Sequence, residues 1–180
     1  MEERERAQKI KMIIMDVDGT LTDGTLLVLP DGEELKSYNV KDGTGIVLAH
    51  LVGLKTAIIT GKVSGSLKRR AKKLQIGEVH QGILDKKKVL EEIMKKHDLT
   101  KEEIAYIGDD VGDYEVMRHV GLAAAVADAH PTIKAHSHFI CRNPGGRGAV
   151  REFIDFILDA QGKWPEVNAR FMELKDKINV

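Results

Sequence analysis

Short apolar runs alternate along the chain with longer segments in which apolar residues recur three and four positions apart. The short runs lie at residues 10–15, 56–60, 104–107, 122–126 and 139–141, and residues 78–80 form a further, minimal predicted strand. Most of them lack a regular alternation of polar residues, which is typical of strands buried on both faces of a sheet. The helically spaced segments lie at residues 42–51, 64–74, 86–96 and 149–161. This alternation predicts an α/β fold, a Rossmann-like doubly wound parallel sheet with helices on both faces.

Two segments stand outside this alternation. Pro30-Asp31-Gly32 separates two short apolar runs and favours a tight turn, so we predict a β-hairpin flap near residues 25–38. Gly162 ends the last long helical segment, because glycine readily adopts the backbone conformation that follows a helix. We therefore divide the chain into one domain, residues 1–162, and a C-terminal tail, residues 163–180.

The composition indicates one compact domain and excludes several classes of protein. The chain has 180 residues, of which 42% are hydrophobic, enough for one compact domain with a core. Its 28 basic and 28 acidic residues balance, so no excess of positive charge indicates a nucleic-acid or membrane partner. No apolar run approaches the ~20 residues of a spanning helix, and residues 1–11 lack the apolar core of a secretory signal. Cys141 is the only cysteine, which excludes an internal disulfide framework. We expect a cytoplasmic protein.

Carboxylate, hydroxyl and amino side chains follow the predicted strands or open the next helix. They are Asp16, Asp18, Thr60, Lys86, Asp109, Asp110 and Asp113. Because the carboxyl ends of parallel strands meet at one edge of a sheet, we expect these side chains to lie close together. Converging carboxylates repel one another unless a hard cation lies between them, and oxygen ligands of this kind suit Mg²⁺.

This arrangement suits the transfer of a phosphoryl group through a carboxylate. An aspartate held beside a metal ion can attack phosphorus and form an acyl phosphate that water then hydrolyses. A second carboxylate two residues further on, as Asp18 is from Asp16, can protonate the leaving alkoxide and later deprotonate the water. A lysine and a hydroxyl group, here Lys86 and Thr60, can hold the transferring oxygens.

Several residues also have purely structural interpretations. Asp18 and Asp23 suit turns in a loop rich in glycine and threonine, and Asp110 suits the N-cap of a following helix. Lys86 begins a run of three lysines, and such runs usually face solvent. The glycine-rich loop 145–148 is compatible both with a phosphate cradle and with a flexible connection before a helix. The sequence leaves these alternatives open.

The residues at the strand ends resemble the four motifs of the haloacid dehalogenase superfamily. The matching segments are Asp16-Val-Asp-Gly-Thr, Thr60-Gly61, Lys86 and Gly108-Asp-Asp-Val-Gly-Asp113. The second aspartate of the first motif implies the phosphatase branch. Further segments, at residues 39–43, 126–130 and 145–152, are similar to the 3-deoxy-D-manno-octulosonate 8-phosphate phosphatase family, so the resemblance covers nearly the whole chain.

The resemblance implies a role for each matching acidic residue. It implies that Asp16 is the nucleophile and that Asp18 is the acid/base. It also implies a Mg²⁺ ion, bound by the side chains of Asp16 and Asp109 and by the backbone carbonyl of Asp18. Asp110 and Asp113 would support these ligands without binding the ion.

The resemblance implies substrate contacts as well, with Thr60 and Lys86 holding the phosphoryl group. The positions that match the family's substrate contacts are Asp18, Asn39, Val40, Lys41, Asp42, Gly43, Lys62, Arg70 and Lys86. The chain departs from the family at Val47, where members often carry a basic residue, and at Lys62, where they often carry arginine. A lysine cannot reproduce the bidentate recognition of a carboxylate by arginine, so these departures bear on sugar-acid specificity.

The function implied by the resemblance is the Mg²⁺-dependent hydrolysis of 3-deoxy-D-manno-octulosonate 8-phosphate through an aspartyl-phosphate intermediate, a step of lipopolysaccharide biosynthesis. One alternative is a phosphatase of another sugar-acid phosphate, of the N-acylneuraminate 9-phosphate type. The other is a non-catalytic regulatory module of a sugar-acid pathway. The repulsive carboxylate cluster argues against the regulatory alternative, because an inactive site has no physical reason to keep it.

The spacing of the motifs leaves no room for a separate cap domain. A hairpin, a strand and two helices fill the intervals between Asp16, Thr60 and Lys86. Aspartyl-phosphate chemistry benefits from a site closed to water, so we expect another part of the assembly to cover it. We predict that hairpins of several copies pair with one another, and the family's tetramers imply a homotetramer. A second candidate cover is the tail, with the apolar residues Trp164, Phe171 and Met172.

Overall fold

The computed structural model describes residues 2–178. Its strands are β1 (Met12–Met15), β2 (Leu27–Val28), β3 (Glu34–Leu35), β4 (Lys55–Thr60), β5 (Glu78–Gln81), β6 (Ile104–Gly108), β7 (Leu122–Ala125) and β8 (Phe139–Ile140). Its α-helices are α1 (Glu3–Ala7), α2 (Val40–Leu51), α3 (Gly65–Lys73), α4 (Lys86–His97), α5 (Tyr114–Met117), α6 (Pro131–Ala135), α7 (Ala149–Ala160) and α8 (Trp164–Ile178). Short 3₁₀ turns, Lys101–Glu103 and Val111–Asp113, precede β6 and α5.

Six strands form one parallel sheet in the order β5-β4-β1-β6-β7-β8, which confirms the predicted doubly wound fold. β1 is central: Met12 pairs with Lys55 of β4 on one side and with Ile104 of β6 on the other. The chain runs outward from β1 to β4 and β5, then returns to β6, β7 and β8 on the other side. The strand order therefore reverses between β1 and β6, and ligands bind beyond the carboxyl ends of strands at such a point.

The central strands are buried on both faces. β1 and β7 are buried along their whole length, as their unbroken apolar sequences predict. α7 packs against α2, and its buried stripe contains Phe153, Ile154 and Ile157. A second group, α4 and α5, packs against β4 and β6. These contacts hold the sheet between its helices and so fix the positions from which the loops at its carboxyl edge begin.

The predicted hairpin is present but short. β2 and β3 pair antiparallel, with Leu27 opposite Leu35 and Val28 opposite Glu34, and they form a sheet of their own. Leu27 and Val28 are 56% and 64% exposed. A two-stranded hairpin of this length is marginal alone, and its apolar side chains are exposed.

Some elements differ from the prediction. The sequence pattern does not predict α1 or α5, because α1 is mostly charged and α5 spans a single turn, so neither shows apolar spacing. α2 begins at Val40 rather than at the predicted residue 42. The earlier start arises because the Asn39 side chain accepts a hydrogen bond from the backbone N–H of Lys41 and caps the helix.

The tail begins as a helix packed on its own subunit. Val167 of α8 is buried, Trp164 packs at the edge of the core, and Lys163 Nζ donates to the carbonyl oxygen of Val52 at 2.8 Å. Phe171 and Met172, further along α8, are exposed. None of the helices in the described part of the chain is long and apolar enough to cross a membrane.

Candidate active site

The first motif forms a tight loop at the carboxyl end of β1. The backbone N–H of Asp16 donates to the carbonyl oxygen of Ile107 at 3.1 Å, which ties the loop to β6. Gly19 adopts a φ of 91°, and a Cβ atom there would lie 2.1 Å from Asp109 Oδ2. Both the backbone angle and the close carboxylate require glycine at this position. Thr20 Oγ1 donates to Asp109 Oδ1 at 3.0 Å, so the loop also fixes Asp109.

Three carboxylates converge beside this loop. Asp16, Asp109 and Asp113 offer oxygen atoms that all lie within 4.8 Å of one another. Asp16 and Asp113 are buried, and Asp109 is half-buried. Lys86 Nζ donates to Asp16 Oδ1 and to Asp113 Oδ1, at 2.6 Å in each case. A single ammonium group therefore neutralises only part of the charge of three carboxylates.

Asp113 organises the loop after β6. Its Oδ1 also accepts a hydrogen bond from the hydroxyl group of Tyr106 at 2.6 Å. Its Oδ2 accepts from the backbone N–H groups of Asp109 at 3.0 Å and Asp110 at 3.3 Å. Asp113 therefore orients Lys86 and fixes the backbone that carries Asp109.

Burial and mutual repulsion raise the pKa values of two of these acids. The pKa of Asp16 rises to about 6, first because the carboxyl group is buried and second because Asp113 is near, while Lys86 opposes the rise. The pKa of Asp109 rises to about 8, through burial and repulsion by Asp16 and Asp113. A divalent cation among these oxygens would remove the repulsion and lower both pKa values. The all-oxygen donor set fits Mg²⁺.

We expect the protein without Mg²⁺ to lose stability as the pH rises through the folded pKa of Asp109. Unfolded Asp109 ionises near its ordinary pKa of 3.8, whereas the folded carboxyl group keeps its proton up to about pH 8. The folded state binds more protons across that window, so the free energy of unfolding falls as the pH rises from about 4 to about 8. Bound Mg²⁺ favours the ionised form, so its stabilising effect should grow over the same window.

Thermal denaturation with EDTA and with Mg²⁺, at about pH 6 and about pH 8, measures this effect. Asp109→Asn should flatten the pH dependence in EDTA. Asp31→Asn, in the exposed hairpin turn, is the matched control, because Asp31 lies outside the three-carboxylate cluster and asparagine can keep its turn. Equal stabilisation by Mg²⁺ at both pH values would contradict the prediction.

A cavity of about 290 Å³ opens at the carboxyl ends of β1, β4 and β6. The residues predicted to carry the chemistry all line it: Asp16, Asp18, Thr60, Lys86, Asp109, Asp110 and Asp113. Lys62 also lines the cavity, and its Nζ lies 3.9 Å from Glu34 Oε2 in the hairpin. The fold therefore brings the four motifs together around one space.

Asp42 and Asn39 connect helices within one subunit. The buried carboxylate of Asp42 accepts from the backbone N–H groups of Gly148 at 3.3 Å and Arg151 at 2.8 Å, which caps the start of α7. Asn39 Nδ2 donates to the carbonyl oxygen of Gly146 at 3.3 Å. Both side chains join α2 to the loop before α7, and neither of them lines the cavity.

The other residues of the predicted substrate set lie near these two. Arg70 lies against Gly43, where a Cβ atom would come within 2.3 Å of Arg70 Nη2. Its guanidinium carbon is 6.0 Å from the ring centroid of Tyr38. Val40 and Lys41 are exposed at the start of α2. Contact of these residues with a substrate stays a prediction, because none of them lines the cavity.

The structure distinguishes Lys86 from its two neighbours in the lysine run. Lys86 is buried, whereas Lys88 is exposed and Lys87 pairs at the surface with Glu91 at 4.0 Å. The side chain of Asp110 accepts a hydrogen bond from the next backbone N–H, at 2.7 Å, and caps the 3₁₀ turn. Its capping interpretation is therefore confirmed, while it also lines the cavity.

The glycine-rich loop 145–148 packs against the first motif. The backbone N–H of Gly146 donates to the carbonyl oxygen of Thr20 at 2.9 Å. A Cβ atom at Gly145 would lie 1.7 Å from the carbonyl oxygen of Gly19. This loop acts as a clamp on the backbone that carries the first two aspartates, and it does not line the cavity.

Sequence reasoning does not single out two side chains of the site. Lys36 follows β3, and its side chain is 3% exposed and forms an ion pair with Asp18. Tyr106 lies in the middle of β6 and donates its hydroxyl hydrogen to Asp113. Lys36 follows a strand of the hairpin, not a strand of the parallel sheet. The aromatic ring of Tyr106 alone accounts for its place in an apolar run. The only sequence feature that could have indicated a role for Tyr106 is its hydroxyl group, in a strand next to the site.

Known proteins resemble this chain in sequence and in fold. Residues 64–154 match the family model of the haloacid dehalogenase-like hydrolases. The 3-deoxy-D-manno-octulosonate 8-phosphate phosphatase of Escherichia coli strain K12 is 42% identical over 165 residues, which cover 92% of this chain and 88% of that protein. The chain belongs to the 3-deoxy-D-manno-octulosonate 8-phosphate phosphatase family.

Solved structures of this phosphatase family share the fold. The enzyme from Yersinia pestis superposes with a TM-score of 0.87 at 45% identity, over 89% of this chain and 86% of that one. The enzyme from Moraxella catarrhalis, in complex with a magnesium ion, a phosphate ion and a 3-deoxy-D-manno-octulosonate (KDO) molecule, gives a TM-score of 0.91 at 38% identity, over 94% and 97%. The resemblance based on the four motifs is confirmed.

Proposed function

We propose that the protein hydrolyses 3-deoxy-D-manno-octulosonate 8-phosphate to 3-deoxy-D-manno-octulosonate and phosphate, a step of lipopolysaccharide biosynthesis. The observation that carries the proposal is the position of Asp16 and Asp18 in one cavity beside the three-carboxylate cluster, in a member of this phosphatase family. The Moraxella catarrhalis relative supports it, because that enzyme was solved with the metal ion and with the two products of such a hydrolysis.

Asp16, Asp109 and the backbone carbonyl of Asp18 are the groups that would hold Mg²⁺. When bound, Mg²⁺ neutralises the carboxylates and stabilises the charge that develops on the phosphoryl oxygens. The surrounding protein preorganises these ligands: Lys86 donates to Asp16, and Thr20 donates to Asp109.

Asp16 is placed to attack phosphorus. Its hydrogen bond from Lys86 Nζ, at 2.6 Å, fixes the carboxylate at the base of the cavity. A bond forms between an oxygen of Asp16 and phosphorus while the bond from phosphorus to the C8 oxygen of the sugar acid breaks, which leaves an aspartyl phosphate. The Thr60 hydroxyl and the Lys86 ammonium group hold the transferring oxygens during this step.

Asp18 is placed to move the proton in both half-reactions. In its protonated form it gives a proton to the C8 oxygen as the sugar acid leaves. The resulting carboxylate takes a proton from a water molecule that attacks the aspartyl phosphate, which releases phosphate and restores Asp16. The ion pair with Lys36 of the hairpin holds the ionised Asp18 side chain beside the cavity, which is the form that takes the proton from water.

We expect Asp18→Asn to slow turnover by ~10²–10⁴-fold and to leave Mg²⁺ binding intact. Asparagine keeps the backbone carbonyl that would bind the metal, but its amide cannot transfer the proton. Steady-state phosphate release and calorimetric titration with Mg²⁺ measure the two effects. Asp31→Asn, in the exposed hairpin turn, is the matched control and should turn over like the wild type. Near-normal turnover of Asp18→Asn would require another acid/base.

A panel of sugar-acid phosphates, assayed with Mg²⁺, tests the substrate. We expect the eight-carbon ester, 3-deoxy-D-manno-octulosonate 8-phosphate, to give the highest kcat/KM. Val47 packs against the core without charge, and Lys62 places one ammonium group at the cavity, so the panel measures whether these two side chains still favour the eight-carbon sugar acid. Equal or faster hydrolysis of N-acylneuraminate 9-phosphate would assign the nine-carbon alternative.

The same panel tests the regulatory alternative. Burying several carboxylates around one lysine is costly unless a bound cation or a reaction uses them. Release of phosphate from any ester of the panel, lost in Asp16→Asn, would exclude a purely regulatory role. If no ester releases phosphate with Mg²⁺ present, the regulatory alternative holds.

We propose that four copies assemble through the hairpin flap and cover the cavity. β2 and β3 pair only with each other within the described chain, and they present exposed apolar side chains. Lys36 links the flap to Asp18, so pairing between flaps would also fix this side chain. The tail is the second element that we propose as a cover, because Phe171 and Met172 are exposed beyond the packed first turns of α8.

The double variant Leu27→Lys/Val28→Lys should dissociate the tetramer and lower kcat/KM, because assembly would bury two unpaired charges. Light scattering gives the mass, to be compared with 20.0 kDa for one chain, and steady-state kinetics gives kcat/KM. Ile140→Lys is the control, since Ile140 is 50% exposed on the sheet edge farthest from β5. A fully active wild-type monomer would contradict the proposal.

A further inference from the structure

A larger cavity lies at the opposite edge of the sheet from the carboxylates. Its volume is about 490 Å³. Its walls include residues that precede β1, β6, β7 and β8, and because these strands are parallel, the cavity lies beyond their amino ends. The phosphatase chemistry uses the carboxyl ends, so neither the four motifs nor the proposed reaction accounts for this cavity.

The walls of this cavity carry an excess of positive charge. Four cationic side chains from three segments line it: Arg6 and Lys9 before β1, Lys101 before β6, and Arg118 after α5. Among the described residues that line it, Glu102 is the only carboxylate, and it lies 3.9 Å from Lys101. Arg118 is 3.7 Å from Glu115, at the exposed surface of α5. Cations that converge from distant segments produce a local positive potential, unlike a run of lysines along one solvated helix.

Arg6 is held in place by a carbonyl group rather than by a carboxylate. Its Nη1 donates to the carbonyl oxygen of Gly121 at 2.7 Å, which orients the guanidinium group, and its charge has no carboxylate partner in the described part of the chain. A guanidinium group fixed in this way can present its other N–H groups to a second acceptor.

His138 adds a neutral donor to the same wall. The backbone N–H of Ala123 donates to His138 Nδ1 at 2.9 Å, so the neutral ring carries its proton on Nε2, where it can be donated. Burial and the positive charge of Arg6 lower the pKa of His138, which is consistent with a positive potential in the cavity.

We propose that this cavity binds a small oligophosphate, a diphosphate or triphosphate group that is either free or part of a nucleotide. An oligophosphate carries several charges along a short chain, which suits cations that surround a cavity better than one phosphate does. Arginine forms paired hydrogen bonds with phosphate oxygens. The volume lies within the roughly 300–1,000 Å³ of small-molecule sites. The proposal does not rest on the proposed phosphatase function.

Calorimetric titration of the full-length protein tests this proposal, with inorganic pyrophosphate in one arm, ADP in a second and citrate in a third. Each titration is run with Mg²⁺ and again with EDTA. We expect pyrophosphate to bind in both buffers, because the cavity has no carboxylate cluster and needs no metal. Tighter binding of ADP than of pyrophosphate would show that the cavity binds a nucleotide. Equal binding would show that it recognises the phosphate chain alone.

The double variant Arg6→Gln/Lys101→Gln should raise the Kd for pyrophosphate by roughly tenfold or more and leave phosphatase turnover unchanged. Arg69→Gln/Lys72→Gln is the matched control, because it removes the same two charges from exposed positions of α3. An equal loss of affinity in the control would mean that the overall charge of the protein, not this cavity, determines the affinity. That result would overturn the proposal.

NMR spectra of the unmodified protein give a readout that does not depend on the folding of a variant. Pyrophosphate in EDTA should shift the backbone amide signals of Gly121 and His138 and leave those of Gly61 and Asp109 in place. Shifts confined to Gly61 and Asp109, binding only with Mg²⁺, or citrate binding as tight as that of pyrophosphate would each overturn the proposal.

Discussion

Asp16→Asn should abolish phosphate release and leave the fold intact. The amide of asparagine does not attack phosphorus, so no aspartyl phosphate forms, and loss of a nucleophile lowers kcat by a factor on the order of 10⁴–10⁶. The fold should survive because asparagine keeps the shape of the side chain, and the change removes one of three mutually repelling carboxylates. Phosphate release with Mg²⁺ measures turnover, and thermal denaturation in EDTA should show a Tm at least as high as that of the wild type.

Asp23→Asn is the matched control in the same loop. Asp23 Oδ1 accepts from the backbone N–H of Thr25 at 3.1 Å, and Asp23 Oδ2 pairs with Arg147 at 3.2 Å, on the outer side of the loop. Asparagine can keep the turn, so turnover should stay near that of the wild type. Turnover of Asp16→Asn comparable with that of Asp23→Asn would mean that another group is the nucleophile.

Lys86→Met should lower both the free energy of unfolding and turnover. Lys86 is the buried cation between Asp16 and Asp113, and removal of one partner from a buried ion pair typically costs about 3–5 kcal/mol. Turnover falls because the same ammonium group holds the nucleophile and, in the proposed mechanism, the phosphoryl group. Without Lys86 the pKa of Asp16 should rise above its value of about 6, so the acidic limb of the pH–rate profile should move to higher pH.

Lys87→Met controls for the loss of a lysine from the same helix. Lys87 pairs at the surface with Glu91 at 4.0 Å, and an exposed pair of this kind contributes roughly 0–1 kcal/mol. Urea denaturation in saturating Mg²⁺ and steady-state kinetics compare the two variants. If Lys86→Met is as stable and as active as Lys87→Met, Lys86 has neither of the roles assigned to it.

The strand-end rule explains why the sequence predicts much of the site. Asp16 and Asp109 directly follow strands of a parallel sheet and Thr60 is the last residue of another, so the chain order alone brings them to one edge. The apolar runs identify those strands because both of their faces are buried. The pattern of apolar runs therefore predicts both the fold and the positions of the motifs at the ends of the strands.

Contacts that depend on how separate segments fold over one another could not be predicted in this way. Lys36 stands in a hairpin whose two-residue strands show no alternating pattern, so its ion pair with Asp18 has no sequence signal. Lys86 differs from Lys87 and Lys88 only in the direction in which its side chain leaves the first turn of α4. The run of three lysines does not reveal which of them points into the site. The carboxylate of Asp42 caps a helix that begins far along the chain, at Ala149, which no local pattern reveals.

The clamp formed by loop 145–148 has a consequence for the synthesis of the protein. Asp16 directly follows β1, whereas Gly145 and Gly146, which hold the backbone of Gly19 and Thr20, come much later in the chain. A nascent chain can form β1 and its neighbours early. The loop of the first motif is not clamped until residues 145–148 have also emerged. Phosphate release should therefore begin only after this late segment has folded against the first motif.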